Sequence, residues 1–193
     1  MSNRFKRAFN GSNPNAYIAA LALAAVEALH GGHHLWFGWV PFDERLIHLP
    51  NAVFSWRCLA EGVLPLWNPY AFCGIPHLAS HHTAVLYAPL YPFVGLLDPF
   101  RGFALLESLH FWWMGLGVWF WLRRGWSARP WAALAGAVFF MLSGFTVAHE
   151  PHSPMIWAVA WLPWMLWQAR RLVDGRRWAA SLLAAMLALQ IAA

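Results

Sequence analysis

Five apolar runs recur along the chain, each long enough or nearly long enough to cross a bilayer. Residues 17–35 carry Glu27 and His30, residues 103–122 carry Glu107 and His110 near their start, and residues 130–148 carry no ionisable side chain. A fourth run, 154–169, contains Pro163, and a fifth, 178–193, reaches the last residue. At about 1.5 Å per residue, about 20 residues cover the hydrocarbon core. The pattern predicts an all-α fold, a polytopic transmembrane helix bundle with spans at about 17–35, 103–122, 130–148, 154–169 and 178–193. Residues 36–102 form a long loop between the first two spans. Because no polar stop follows Gln190, the chain reads as the N-terminal part, 1–193, of one larger membrane domain.

Composition supports this. The 193 residues are 60% hydrophobic and 11% charged, where an ordinary globular domain has about 25% charged residues. The net charge of +5 does not indicate nucleic acid, because the basic residues are short clusters between apolar runs rather than a stripe. Arg4, Lys6 and Arg7 precede the first run, Arg123, Arg124 and Arg129 lie between the second and third, and Arg170, Arg171, Arg176 and Arg177 follow the fourth. Ten of the 13 basic residues thus fall on one side, cytoplasmic by the excess of Lys and Arg in inner loops. This orientation puts the N-terminus inside and the 36–102 loop outside. A secretory signal peptide is the competing account of the N-terminus; Glu27 interrupts its apolar run and no cleavage site stands out.

The loop holds the candidate chemistry. Asp43 and Glu44 are adjacent carboxylates just beyond the first run, suited to taking a proton or to holding a divalent cation beside a phosphate. The plain alternative is a solvated acidic turn paired with Arg45 or Arg57. Residues 50–61 have the marks of a short helix: Pro50 in the first turn, Arg57 and Glu61 four apart, and Gly62 as a stop.

The segment LPLWNPYAFCGIPHLASHHTAVLYAPLYP (64–92) has five prolines and no charged side chain. Pro65, Pro69, Pro76, Pro89 and Pro92 specify a turning path, Gly74 assists it, and Trp67, Tyr70, Tyr87 and Tyr91 offer anchors. The segment reads as a rigid cap or re-entrant piece over the outer mouth of the bundle. Asn68 serves either the turn or a ligand hydroxyl.

His33, His34, His48, His77, His81, His82, His149 and His152 make the outer face histidine-rich, without a recognised zinc spacing. Glu27 with His30 and Glu107 with His110 are i,i+3 pairs of the kind found on metal-binding bundle helices, short of the four-helix pattern. Cys58 and Cys73 are far too few for a disulfide scaffold, but they are placed to close one loop worth about 3 kcal/mol in chain entropy.

The order of these features resembles a known family. An outward carboxylate follows the first run, then GVLPLWNPYAFCGIPHLASHHTAVLYAPLYP, then LRRGWSARPWAALAGAVFFMLSGFTVAHEPHSPMIWAVAWLPWMLW. Over about residues 40–170 this is similar to the YfhO-like bacterial multispanning proteins, grouped with membrane glycosyltransferases of the GT-C type. The resemblance implies residence in the bacterial inner membrane and transfer of a sugar from a polyprenyl-phosphate donor to a cell-envelope acceptor. It places the base on Asp43, with Glu44 as neighbour or substitute, the turn motif on Trp67, Asn68, Pro69, Gly74 and Pro76, and a later site histidine on His149. Arg45, Arg57 and Arg101 are candidate phosphate partners, since guanidinium binds phosphate bidentately, and Tyr70 stands beside them as a candidate substrate contact. Membrane lipid is the implied partner. A non-enzymatic multispanning protein, such as a transporter or a lipid-handling or assembly factor, is the alternative.

Overall fold

The computed structural model describes residues 14–37, 41–80 and 82–193. Arg4, Lys6, Arg7, His81 and the side chains of His33 and His34 lie outside the described residues.

The architecture is an all-α helical bundle. Helix α1 (Pro14–His30) starts on proline, is rich in alanine, and buries Ala19, Leu23 and Glu27, one helical face at spacing four. A turn at Gly31 separates it from α2 (Gly32–Phe37). A π-helical turn, Glu44–His48, leads into α3 (Leu49–Ala60), which ends at Gly62 with φ of 75°. After the proline-rich segment come α4 (Tyr91–Leu96) and the central helix α5 (Pro99–Phe120). Then α6 (Pro130–Met141) and α7 (Gly144–Ala148) precede α8 (Ser153–Val173), and α9 (Ala179–Ala192) closes the order.

Helix α5 begins where local chemistry dictates. Pro99 occupies the first turn and the Asp98 carboxylate accepts a hydrogen bond from the Arg101 amide at 3.1 Å. It is apolar on every side and has neighbours on every side: α8, α6, α1 and α4 all pack on it. Close approach needs small residues. A Cβ on Gly117 would lie 2.7 Å from Trp164 Nε1 and 3.0 Å from Pro163 Cβ of α8, and one on Gly115 would strike Met141 of α6.

The interior divides along the length of α5. At one end Leu23, Phe111, Met114, Trp119, Met141, Ile156 and Trp164 interlock. At the other, Leu49, Ala52, Tyr87, Leu90, Val94, Phe103, Leu106 and Trp157 seat α3, α4 and the end of the proline-rich segment on α5 and α8. Fully burying one such large apolar side chain contributes about 1.5–3 kcal/mol. Tyr87 and Leu90 are wholly inaccessible, so the end of the segment is packed, whereas Leu64, Leu66, Trp67, Tyr70 and Phe72 nearer its start are exposed.

The five-span reading is corrected here. Among the described residues one helical run, Pro130–Ala148 across α6 and α7, is long and apolar enough to cross a membrane. The other four runs fail for identifiable reasons. Helix α1 is 17 residues long and turns at Gly31. Helix α5 has the length but carries Arg101, Glu107, Ser108 and His110. Helix α8 contains Pro163, Gln168, Arg170 and Arg171, and α9 is 14 residues long, about 21 Å at the helical rise. The polytopic GT-C-like bundle, the N-inside topology and the multi-pass inner-membrane location drawn from five spans are withdrawn with them. Cys58 and Cys73 are both free thiols, so the loop they were placed to close is held by other means.

Candidate functional site

A groove of about 850 Å³ lies between α3, the 68–75 loop and the start of α5. That is within the usual range of small-molecule sites, about 300–1,000 Å³. One wall is the outer face of α3 with Phe54, Arg57, Cys58 and Glu61. The π-helical turn before it adds Arg45, and Pro99 and Phe100 close one side. The opposite wall is the loop, with Asn68, Tyr70, Ala71, Phe72 and Ile75.

The loop is built as a small closed hairpin. The amides and carbonyls of Asn68 and Ile75 exchange hydrogen bonds at 2.9 and 3.0 Å. The Asn68 side-chain oxygen accepts from the Tyr70 amide at 2.9 Å, the ordinary turn role for asparagine. Gly74, with φ of 115°, gives up its side chain to the Trp67 indole: a Cβ there would be 2.5 Å from the ring. Phe72 and Cys73 precede it with φ of 49° and 62°, a left-handed geometry that costs about 1–2 kcal/mol per residue with a Cβ.

Histidine 77 pins the loop to α3. Its Nε2–H donates to Ser55 Oγ at 2.8 Å, and the Ser55 hydroxyl in turn donates to the Asn51 carbonyl at 2.9 Å. His77 is fully buried against the Phe54 ring, and burial pushes its pKa below the usual imidazole value.

Behind this wall lies a second constellation, reached through the buried face of the π-helical turn. Glu44 accepts a hydrogen bond from the Ser153 hydroxyl at the start of α8, where the helix dipole favours negative charge. Asp43 lies 3.8 Å from His152 Nε2, both side chains a little under half exposed. His149 stacks on Phe145 and stands 5.8 Å, centroid to centroid, from His152. His48 donates to the His82 carbonyl at 3.2 Å, and burial lowers its pKa against the pull of that hydrogen bond.

Deeper in, Glu107 accepts from Trp157 Nε1 at 2.8 Å, and its other oxygen has no hydrogen-bond partner among the described residues. Burial, then the nearby Glu44, holds its carboxyl well above the usual range. His110 faces elsewhere. Trp161 Nε1–H donates to the Tyr87 oxygen at 3.0 Å, the Tyr87 hydroxyl meets His110 Nε2 at 2.5 Å, and His110 Nδ1–H donates to the Leu106 carbonyl at 2.7 Å. Each group supplies what the next requires. Burial pushes His110 down to about 4 and Tyr87 up to about 12, so the relay is neutral at pH 7.

The structure therefore gathers Arg45, Arg57, Asn68 and Tyr70 around one groove. Pro69, Gly74 and Pro76 shape its loop, and Trp67 backs Gly74. Arg101 is exposed at the start of α5 and does not line the groove, although its neighbours Pro99 and Phe100 do. Asp43, Glu44 and His149 belong to the second constellation. Neither carboxylate pairs with Arg45 or Arg57, the partners a solvated turn would have used: Glu44 is buried on Ser153 and Asp43 sits by His152. Of the i,i+3 pairs, Glu107 and His110 turn to different partners rather than towards one ligand. Among the described residues no group of three His, Cys, Asp or Glu is placed to hold a metal ion. Phe72, Phe100 and Ser153 were not legible as site residues, because nothing local marks a phenylalanine as a groove wall or a serine as the partner of a distant carboxylate.

No family model, no curated protein and no solved structure matches the chain. The resemblance to YfhO-like proteins is thereby corrected, and the single span-length helix removes the multispanning frame it required. Sugar transfer from a polyprenyl-phosphate donor, its alternative as a multispanning transporter or assembly factor, and membrane lipid as partner fall with that frame. So does the role of Asp43 as the base of that reaction.

Proposed function

We propose that the groove between α3 and the 68–75 loop binds a small organic anion, with Arg45 and Arg57 taking its charge. One observation carries this reading. Both guanidinium groups stand exposed on the wall of a concave, largely apolar site, and neither has an ion-pair or hydrogen-bond partner among the described residues. Glu61, four residues after Arg57 and on the same wall, does not come within ion-pair distance of it. Guanidinium on a part-apolar wall favours phosphate or carboxylate, because its fork of donors matches their oxygens.

The test is calorimetric titration of the full chain with cyclohexyl phosphate, with cyclohexanol as the uncharged comparison. A hydrogen bond to a charged group contributes about 1.5–3 kcal/mol, so Arg45→Gln and Arg57→Gln each weaken the phosphate by at least about tenfold. Neither changes the weak binding of the alcohol. Absence of phosphate binding at millimolar concentration, or binding indifferent to the double substitution, overturns the reading.

A further inference from the structure

The walls of the groove are aromatic as well as cationic. Phe54 and Tyr70 make an edge-to-face contact with centroids 6.1 Å apart, and Phe72 and Phe100 line the same space. Two of the four rings sit where water contact opposes them: Tyr70 is 86% exposed and Phe72 89%. Phe72 also sits on left-handed backbone, with Cys73 beside it in the same geometry. The loop beneath is not slack. It is closed by the Asn68–Ile75 hydrogen-bond pair and by Gly74 N–H donating to the Ala71 carbonyl at 2.7 Å, and Trp67 backs it. A rigid base that holds strained backbone and presents two bare rings at the mouth of a groove is the geometry of a preorganised contact.

We infer that Tyr70 and Phe72, with Phe54 and Phe100, form a ring-binding subsite, so that the groove selects anions built on a planar aromatic ring. This rests on the anion-binding reading and adds to it the class of molecule bound. The rings supply stacking and edge-to-face contact to a flat π-system, which an aliphatic ring of the same size cannot return. Arg45 and Arg57 lie on the adjoining wall, so one ligand carrying a ring and a phosphate or carboxylate meets both features.

Phenyl phosphate and cyclohexyl phosphate have the same charge and ring size and differ in planarity and π-character. Titrated against the full chain, phenyl phosphate binds about threefold to tenfold more tightly. Tyr70→Leu and Phe72→Leu keep apolar bulk and remove the ring, and the double variant lowers the ratio to what Phe54 and Phe100 alone supply. The loss of phosphate affinity caused by Arg45→Gln is the same in this background as in the wild type, and a matching urea-unfolding curve reports that the variant is folded. Equal affinity of the wild-type protein for the two phosphates, or a preference undiminished in the double variant, overturns the ring subsite while leaving the anion reading in place. Failure of both phosphates to bind, or binding that ignores Arg45 and Arg57, removes the anion reading and the subsite with it.

Discussion

Acidification of the Tyr87–His110 relay tests the buried chemistry of the fold most directly. In the folded chain His110 donates to the Leu106 carbonyl and faces Tyr87, and burial depresses its pKa from 6.5 to about 4. The unfolded chain therefore binds this proton more readily. The stability that depends on neutral His110 is complete above about pH 6.5 and is lost as pH falls towards 4. At about 1.36 kcal/mol per pKa unit, displacement from 6.5 to about 4 makes the loss between pH 7 and pH 4 about 3 kcal/mol. Glu107 acts in the opposite sense. Its raised pKa means that the fold prefers the protonated acid, which favours stability at low pH and withdraws it as pH rises. Comparison with His110→Gln cancels the Glu107 term, because no charged group is among the causes of the His110 shift. Urea unfolding of both proteins from pH 7 to pH 4 is the assay. The stability of the wild type minus that of the variant should fall by about 3 kcal/mol across the range. A difference that stays constant to within about 1 kcal/mol refutes the assignment of a buried neutral His110.

Other expectations follow from the packing. Trp157→Phe removes the donor to the buried Glu107 carboxyl and should cost about 1–3 kcal/mol in urea unfolding; a loss under about 0.5 kcal/mol would show that the carboxyl is solvated instead. Gly117→Ala drives a methyl into Trp164 and Pro163 and should destabilise by about 1–3 kcal/mol, read as a lowered thermal midpoint, whereas an unchanged midpoint would mean that α5 and α8 stand further apart. Both thiols should react with a thiol reagent in the native protein, exposed Cys73 faster than half-buried Cys58, and a chain that releases thiols only after reduction would contradict the free pair.

Local signals made the helices legible. Pro130, Pro154 and the stop at Gly62 are short-range features that act before any tertiary contact, whereas the run read from 103 in fact starts at Pro99 with Asp98 as its cap. The helix read over 50–61 accordingly occurs as Leu49–Ala60. Four residues that line the groove, Arg45, Arg57, Asn68 and Tyr70, were named from the sequence as candidates, because arginine beside a carboxylate pair and turn chemistry in a proline-rich segment stand out in a linear reading.

What an apolar run packs against is not written in the run. A helix that is apolar on all sides is surrounded either by lipid or by other helices, and for α5 only the arrangement of α1, α4, α6 and α8 showed which. The i,i+3 spacing of Glu107 and His110 put both on one face, yet Trp157, 50 positions from Glu107, and Tyr87, 23 from His110, determine what each does. Glu44 is buried rather than solvated because Ser153, 109 positions away, arrives at the start of α8 to bond it. Phe54, Phe72 and Phe100 became one wall only when the 68–75 loop folded back over α3 and α5. Helix starts, stops and turns depend on neighbours in the chain and so can be read from it. The burial of a charge and the company of a ring depend on residues brought together from far along the chain, and the tertiary structure alone decided them.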